Sequence, residues 1–353
     1  MIRSQTLRWT PARSVAIVTL LGGCASQMYR IAYPTLSDGK YDSEFPYQGC
    51  SRELGQIAET VHVVNTITTY DHFVFDPQSG IRLQDLTGDV LDKKPTAKSS
   101  FTRTASGTTT VIYFSGRHMA ALTCAHVVEM PDRVITYHAD KNGQPTPYVQ
   151  SVALRRAQAH YIADLPERGD VDVVAADEEA DIALVGKVFQ GPPERAIAVL
   201  RYRLGRAREL EWGSFVYLFG CPMAQKMVTK AIVSGPNDDP RGSFLLDATF
   251  NRGFSGGIVL AVRDGVPNFE MVGMVGSVPA DNDYVLAPPP NPASQEYDTV
   301  APYKGDVYVD KKVNIKYGVA KAIPAEALVK FYEANREKLE KKGFHLESFF
   351  VPK

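Results

Sequence analysis

The chain has 353 residues, 44% of them hydrophobic and 22% charged, a make-up that suits one large core-forming domain or two ordinary ones and excludes a disordered protein. Lys and Arg number 39 against 40 Asp and Glu, a formal net charge of −1, so nothing electrostatic calls for a nucleic-acid partner. Seventeen Tyr, sixteen Phe, 27 Gly and 23 Pro favour an all-β protein with many turns.

Residues 1–23 read as a signal segment outside the fold. Arg3, Arg8 and Arg13 give it a basic start, and Ser14-Val-Ala-Ile-Val-Thr-Leu-Leu21 supplies the apolar stretch. That stretch falls far short of the ~20 residues that cross a bilayer, so it reads as a secretory core. Leu21-Gly-Gly-Cys24 resembles the lipobox of bacterial lipoproteins. The resemblance implies cleavage before Cys24, lipidation of Cys24 and membrane attachment through that lipid. Ala25 after the cysteine, in place of Asp, points to an outer-membrane lipoprotein facing the periplasm. The other reading is an ordinary signal peptide in which Cys24 is incidental. Export permits disulfides, yet the remaining Cys50, Cys124 and Cys221 are odd in number and cannot all pair within one chain. With no Cys-x-x-Cys and no His-Glu-x-x-His, no metal or cofactor is expected, and the thiols should be buried and inert.

Residues 24–55 are polar and turn-rich and read as a tether. Strand signals follow: Thr60 to Thr69 and Gly107 to Phe114 are dense in β-branched residues. Further strands are expected at Arg133 to Tyr137, Ile182 to Val185, Phe215 to Phe219, Ala231 to Ser234, Ser243 to Asp247, Ile258 to Val262 and Phe269 to Val278. Short strands with closely spaced turns argue for a barrel or sandwich. Residues 280–310, around Ala287-Pro-Pro-Pro-Asn-Pro292, form a Pro-rich insertion or surface loop. Pro324 then opens an amphipathic helix over residues 324–342, with Leu328, Phe331, Tyr332 and Leu339 on one face and Gly343 beyond its end. Residues 343–353 are a tail.

Three segments carry chemistry. In Asn251-Arg-Gly-Phe-Ser-Gly-Gly257, Ser255 is a candidate nucleophile, and glycine at 253 allows its amide and that of Ser255 to converge on one oxyanion. Ala120-Ala-Leu-Thr-Cys-Ala-His126-Val127 sets a histidine at the end of an apolar strand. Ala180-Asp181-Ile-Ala-Leu184 sets a carboxylate before a buried one. A buried carboxylate needs a partner, and a histidine N–H fits it.

Together the three segments resemble the chymotrypsin-fold (trypsin-like) serine proteases, within them the bacterial Deg/HtrA type, in the order Leu122-Thr-Cys-Ala-His126-Val127, Asp181-Ile-Ala-Leu184 and Gly253-Phe-Ser-Gly-Gly257. Phe215 to Pro222, Ala231 to Gly235 and Tyr317 to Pro324 resemble further family segments, so the likeness spans residues 55 to 340. It implies an all-β fold of two packed six-stranded antiparallel β-barrels with a C-terminal α-helix, the whole over residues 56–342. It implies a serine endopeptidase acting on protein or peptide substrates through His126, Asp181 and Ser255, with the oxyanion hole at the amides of Gly253 and Ser255. The substrate pocket falls at Thr249, Met274 and Gly276, and because Thr249 at its floor is not an Asp, no preference for Arg or Lys is expected. A medium apolar side chain fits instead. Two departures stand out: Phe254 where members often carry Asp or Asn, and Ile258 where Pro is frequent. Phe254 forgoes a polar contact that helps set the oxyanion loop. No PDZ domain is expected, since about 30 residues lie beyond Ile323.

Two rivals remain. Gly-x-Ser-x-Gly is also the nucleophile elbow of lipases and esterases, but that fold needs its acid and then its His after the serine, and only His345 follows. A trypsin-like scaffold kept as an inactive envelope-binding protein is the other, with Phe254 as its main support.

Overall fold

Alternation decides this fold. Along Phe215–Gly220 every residue is buried, yet Val216 and Leu218 pack into one core and Phe215, Tyr217 and Phe219 into another. A strand buried on both faces needs a filled barrel on one side and a second layer on the other. The computed structural model describes residues 33–351 except 47, 142, 194, 249–250, 278–279, 289–299, 301 and 316–317. Cys24 and the signal segment lie outside the described residues.

The first barrel is built from β1 (Val61–Val74), β2 (Ala97–Ser115), β3 (His118–Thr123), β4 (Arg133–Ala139), β5 (Pro145–Ile162), β6 (Asp170–Asp177) and β7 (Ile182–Val188). Their order is β1-β2-β3-β7-β6-β5-β4, and β1 also pairs with β5. Six strands therefore close into a ring, with β4 flanking it. The second barrel uses β8 (Phe215–Gly220), β9 (Met227–Gly235), β10 (Phe244–Asp247), β11 (Ile258–Val262) and β12 (Phe269–Ser277). After a hairpin of β13 (Ala280–Ala287) and β14 (Tyr308–Ile315), β15 (Val319–Pro324) completes it in the order β10-β15-β12-β11-β8-β9. Every strand pairing is antiparallel. The two expected six-stranded antiparallel barrels are present.

Five helices accompany them among the described residues: α1 (Ser51–Ala58), α2 (Gly88–Lys93), α3 (Ala125–Val128), α4 (Ala325–Lys341) and α5 (Glu347–Phe350). The buried face of α4 is Leu328, Phe331, Tyr332 and Leu339, as its period predicts. Behind it, Tyr332 stacks on Phe350 with ring centroids 4.7 Å apart, and Phe344 fills the space that Gly186 of β7 leaves open. The C-terminal segment thus docks on the first barrel, and residues 343–350 are part of the body, not a free tail.

Three expectations need correction. Residues 24–55 are not wholly a tether. Tyr41 is buried, donates its hydroxyl to Glu270 Oε2 at 2.8 Å and lies under the Arg263 guanidinium at 4.0 Å. Cys50 and α1 pack at the junction of the barrels. The Pro-rich segment expected as an insertion or surface loop is flanked by a β-hairpin, Ala280 opposite Ile315 to Ala287 opposite Tyr308. Strands β5, β6 and the outer half of β2 go beyond the expected strands: Ala97–Ser106 is mostly exposed, and buried and exposed positions are mixed along β5 and β6.

Candidate active site

Pairing register brings His126 and Asp181 together. β3 runs antiparallel to β7 with Thr123 opposite Ala183. The residues just past β3 and just before β7 therefore share one end of the ladder. His126 stands there in the single turn of α3, and Asp181 in the turn leading into β7. His126 Nδ1 lies 2.8 Å from Asp181 Oδ2 and 2.9 Å from Oδ1, and the His126 backbone N–H donates to Oδ1 at 3.0 Å. The carboxylate grips ring and main chain at once, so Nδ1 carries the proton and Nε2 is the free acceptor. The side chain of His126 is half exposed, which leaves that nitrogen open to a reactant.

Asp181 sits at φ +56, a left-handed conformation that costs a residue with a side chain of order 1–3 kcal/mol. Aspartate tolerates it better than most. The turn before it is closed by the Ala180 N–H donating to Asp177 Oδ1 at 2.9 Å, and Arg241 of the second barrel donates to the Glu179 carbonyl at 2.5 Å. Surrounding structure therefore holds the strained residue.

Ser255 comes from the other barrel, on the turn before β11. Its loop lies against the His126 segment: a Cβ on Gly256 would collide with the Thr108 carbonyl and Thr123 Oγ1, and would lie 3.2 Å from the Cys124 amide. Gly256, at φ +86, is where only glycine allows this approach. Among the described residues Ser255 Oγ makes no hydrogen bond to His126. Nucleophile and base are often longer apart before a substrate arrives.

Phe254, the departure before the serine, is 2% exposed and belongs to the core of the second barrel. Its ring occupies the space over Gly220 where a Cβ would stand. Of the pocket residues, Gly276 borders a cavity of about 270 Å³ with Glu179, Asp181, Ser277 and Ile323. Met274 is completely buried where the barrels join, so its side chain packs the core and is not an open pocket wall. Thr249 lies outside the described residues. Sequence reading also passed over Thr108, seen only as one β-branched residue in Gly107-Thr-Thr-Thr110. It is fully buried and bonded to the serine loop.

Cys124 lies beside His126 and Asp181. Its thiol donates to the Val275 carbonyl at 3.2 Å, and burial first, then the Asp181 charge, push it well above the usual thiol range. Donor atoms of Cys124, His126 and Asp181 lie within 4.8 Å of one another. A buried neutral thiol and an imidazole already engaged by carboxylate suit proton handling better than holding an ion. Cys50, Cys124 and Cys221 are free and buried, and burial pushes Cys221 up to about 11. Iodoacetamide at pH 8 is therefore expected to leave all three unmodified in the folded chain and to modify them after denaturation, read by intact mass. Rapid alkylation of native Cys124 would contradict this placement.

Residues 107–274 match the trypsin-like peptidase domain family. Among solved structures the chain is similar to an HtrA-type protease with a tripeptide, at 15% identity and TM-score 0.41, over 81% of this chain and 63% of that one. It is also similar to the serine endoprotease from Yersinia pestis, at 17% identity and TM-score 0.39, over 85% of this chain and 70% of that one. No curated protein matches the chain.

Proposed function

We propose, on the premise that residues 107–274 are a trypsin-like peptidase domain, that the chain is a serine endopeptidase working through an acyl-enzyme on Ser255. The observation that carries this is the grip of Asp181 on both Nδ1 and the main chain of His126, beside a serine loop from the second barrel. Ser255 Oγ attacks the scissile carbonyl as His126 Nε2 takes its proton. The amides of Gly253 and Ser255 receive the oxyanion. Protonated His126 then gives that proton to the leaving amine, and the C–N bond breaks. Water attacks the ester in turn, with His126 again as base, and releases the acid and free Ser255. Asp181 stays ionised and stabilises the imidazolium.

The substrate is a protein or peptide whose medium apolar side chain enters near Gly276. The chain is anchored to the outer membrane through lipid on Cys24 and works in the periplasm. The rival, an inactive scaffold that binds envelope proteins, draws on Phe254 and on the missing Ser255–His126 hydrogen bond.

One experiment separates them: labelling with a fluorophosphonate probe, followed by peptide mapping. An adduct on Ser255 that is absent from Ser255→Ala is the expected result. Folded protein that takes no label would favour the scaffold.

A further inference from the structure

The serine loop is held by its carbonyls. Arg252 O accepts from the Met223 N–H at 3.2 Å, Phe254 O from Gly257 at 2.8 Å and Ser255 O from Thr108 at 2.8 Å. Gly253 O accepts from Thr108 Oγ1 at 2.7 Å. The amides of Phe254, Gly256 and Gly257 are engaged as well, with Asn251, Val275 and Phe254 carbonyls. Two amides are left without an acceptor among the described residues, those of Gly253 and Ser255. In a trans peptide the N–H points opposite to the C=O. Pinning the carbonyls of Arg252 and Phe254 therefore aims the two free amides away from the bonds that hold the loop.

Thr108 supplies two of the four carbonyl bonds from the other barrel. Its hydroxyl accepts from the Cys221 N–H at 2.8 Å, so its own proton must go to Gly253 O. Its carbonyl accepts from Thr123 Oγ1 at 2.7 Å, three residues before His126. One fully buried residue thus ties the segment that ends at the base to the loop that carries the nucleophile. A buried hydrogen bond of this kind is expensive to break, because the orphaned carbonyl has no water to replace its donor.

We propose that Thr108 is a positioning residue whose hydroxyl clamps Gly253 and keeps the amides of Gly253 and Ser255 aligned with His126, the task left open where Phe254 replaces a polar residue. The inference rests on the endopeptidase reading above. Removing an oxyanion donor outright costs about 10²–10³-fold in rate; loosening its support should cost less, about 10- to 100-fold.

The test is the kinetics of fluorophosphonate labelling of the full chain, wild type against Thr108→Val and Thr108→Ser. Thr108→Val keeps the shape and loses the hydroxyl; its limiting rate is expected to fall about 10- to 100-fold while the half-saturating probe concentration stays put. Thr108→Ser keeps the hydroxyl and is expected to remain within about threefold of wild type. A merely structural role would not split the two parameters in this way. Folded Thr108→Val labelling at the wild-type limiting rate overturns the clamp. Should Thr108→Val not fold, Thr108→Ser decides: a wild-type rate supports the clamp and a tenfold loss overturns it. Wild-type protein that never labels overturns the endopeptidase reading itself, and this inference falls with it.

Discussion

Asp181→Asn is expected to lower kcat by about 10⁴-fold with the fold intact. The reason lies in the double grip. The His126 main-chain N–H needs an acceptor and takes it from Asp181 Oδ1 at 3.0 Å. Asparagine would turn its carbonyl oxygen to that amide and leave its NH₂ facing Nδ1. Nδ1 must then accept, so the ring proton moves to Nε2, where the serine proton has to go. Asparagine tolerates the left-handed backbone at φ +56 about as well as aspartate, so little stability should be lost. Turnover of a peptide substrate, with a thermal melt alongside, checks both halves. A loss of activity under tenfold would mean that Asp181 does not orient the base.

Phe254→Asn is expected to destabilise the protein by about 3–5 kcal/mol, the range for emptying a buried aromatic site. By sequence alone it is the natural variant to restore activity, since it brings the loop nearer the usual pattern. The packing argues otherwise. The Phe254 ring is 2% exposed among Val259, Val272, Val275 and Phe244, and it fills the space above Gly220. An amide there would have to bury polar atoms in an apolar barrel. Urea unfolding measures the loss. Stability held at wild type together with faster labelling of Ser255 would show that the ring contributes little and the polar contact much.

Much of the fold was legible because its central strands are continuous apolar runs bounded by turns. The runs Ile258 to Val262 and Phe269 to Ser277, buried along almost their whole length, read directly as strands. Pro324 and the 3.6-residue period marked α4. Polar strands escaped. The outer half of β2 is paired with β1 along its length, yet most of it is exposed, so the ladder and not a buried face holds it. The docked segment around Tyr41 escaped for a similar reason: its partners, Glu270 and Arg263, lie more than 200 residues away, and no local signal announces them.

By itself the sequence determined the residue types and their order: His126 after an apolar strand, Asp181 before one, Ser255 in Gly253-Phe-Ser-Gly-Gly257. Local chemistry suffices for that, because the proposed base, orienting acid and nucleophile each need a particular side chain in a particular local setting. Only the tertiary structure decided what Phe254, Met274 and Thr108 do. Phe254 and Met274 are packed into cores, and Thr108 bonds across the junction of the barrels. Those roles depend on contacts between strands distant in the chain, formed when two barrels close and meet, and no window of neighbouring residues contains them.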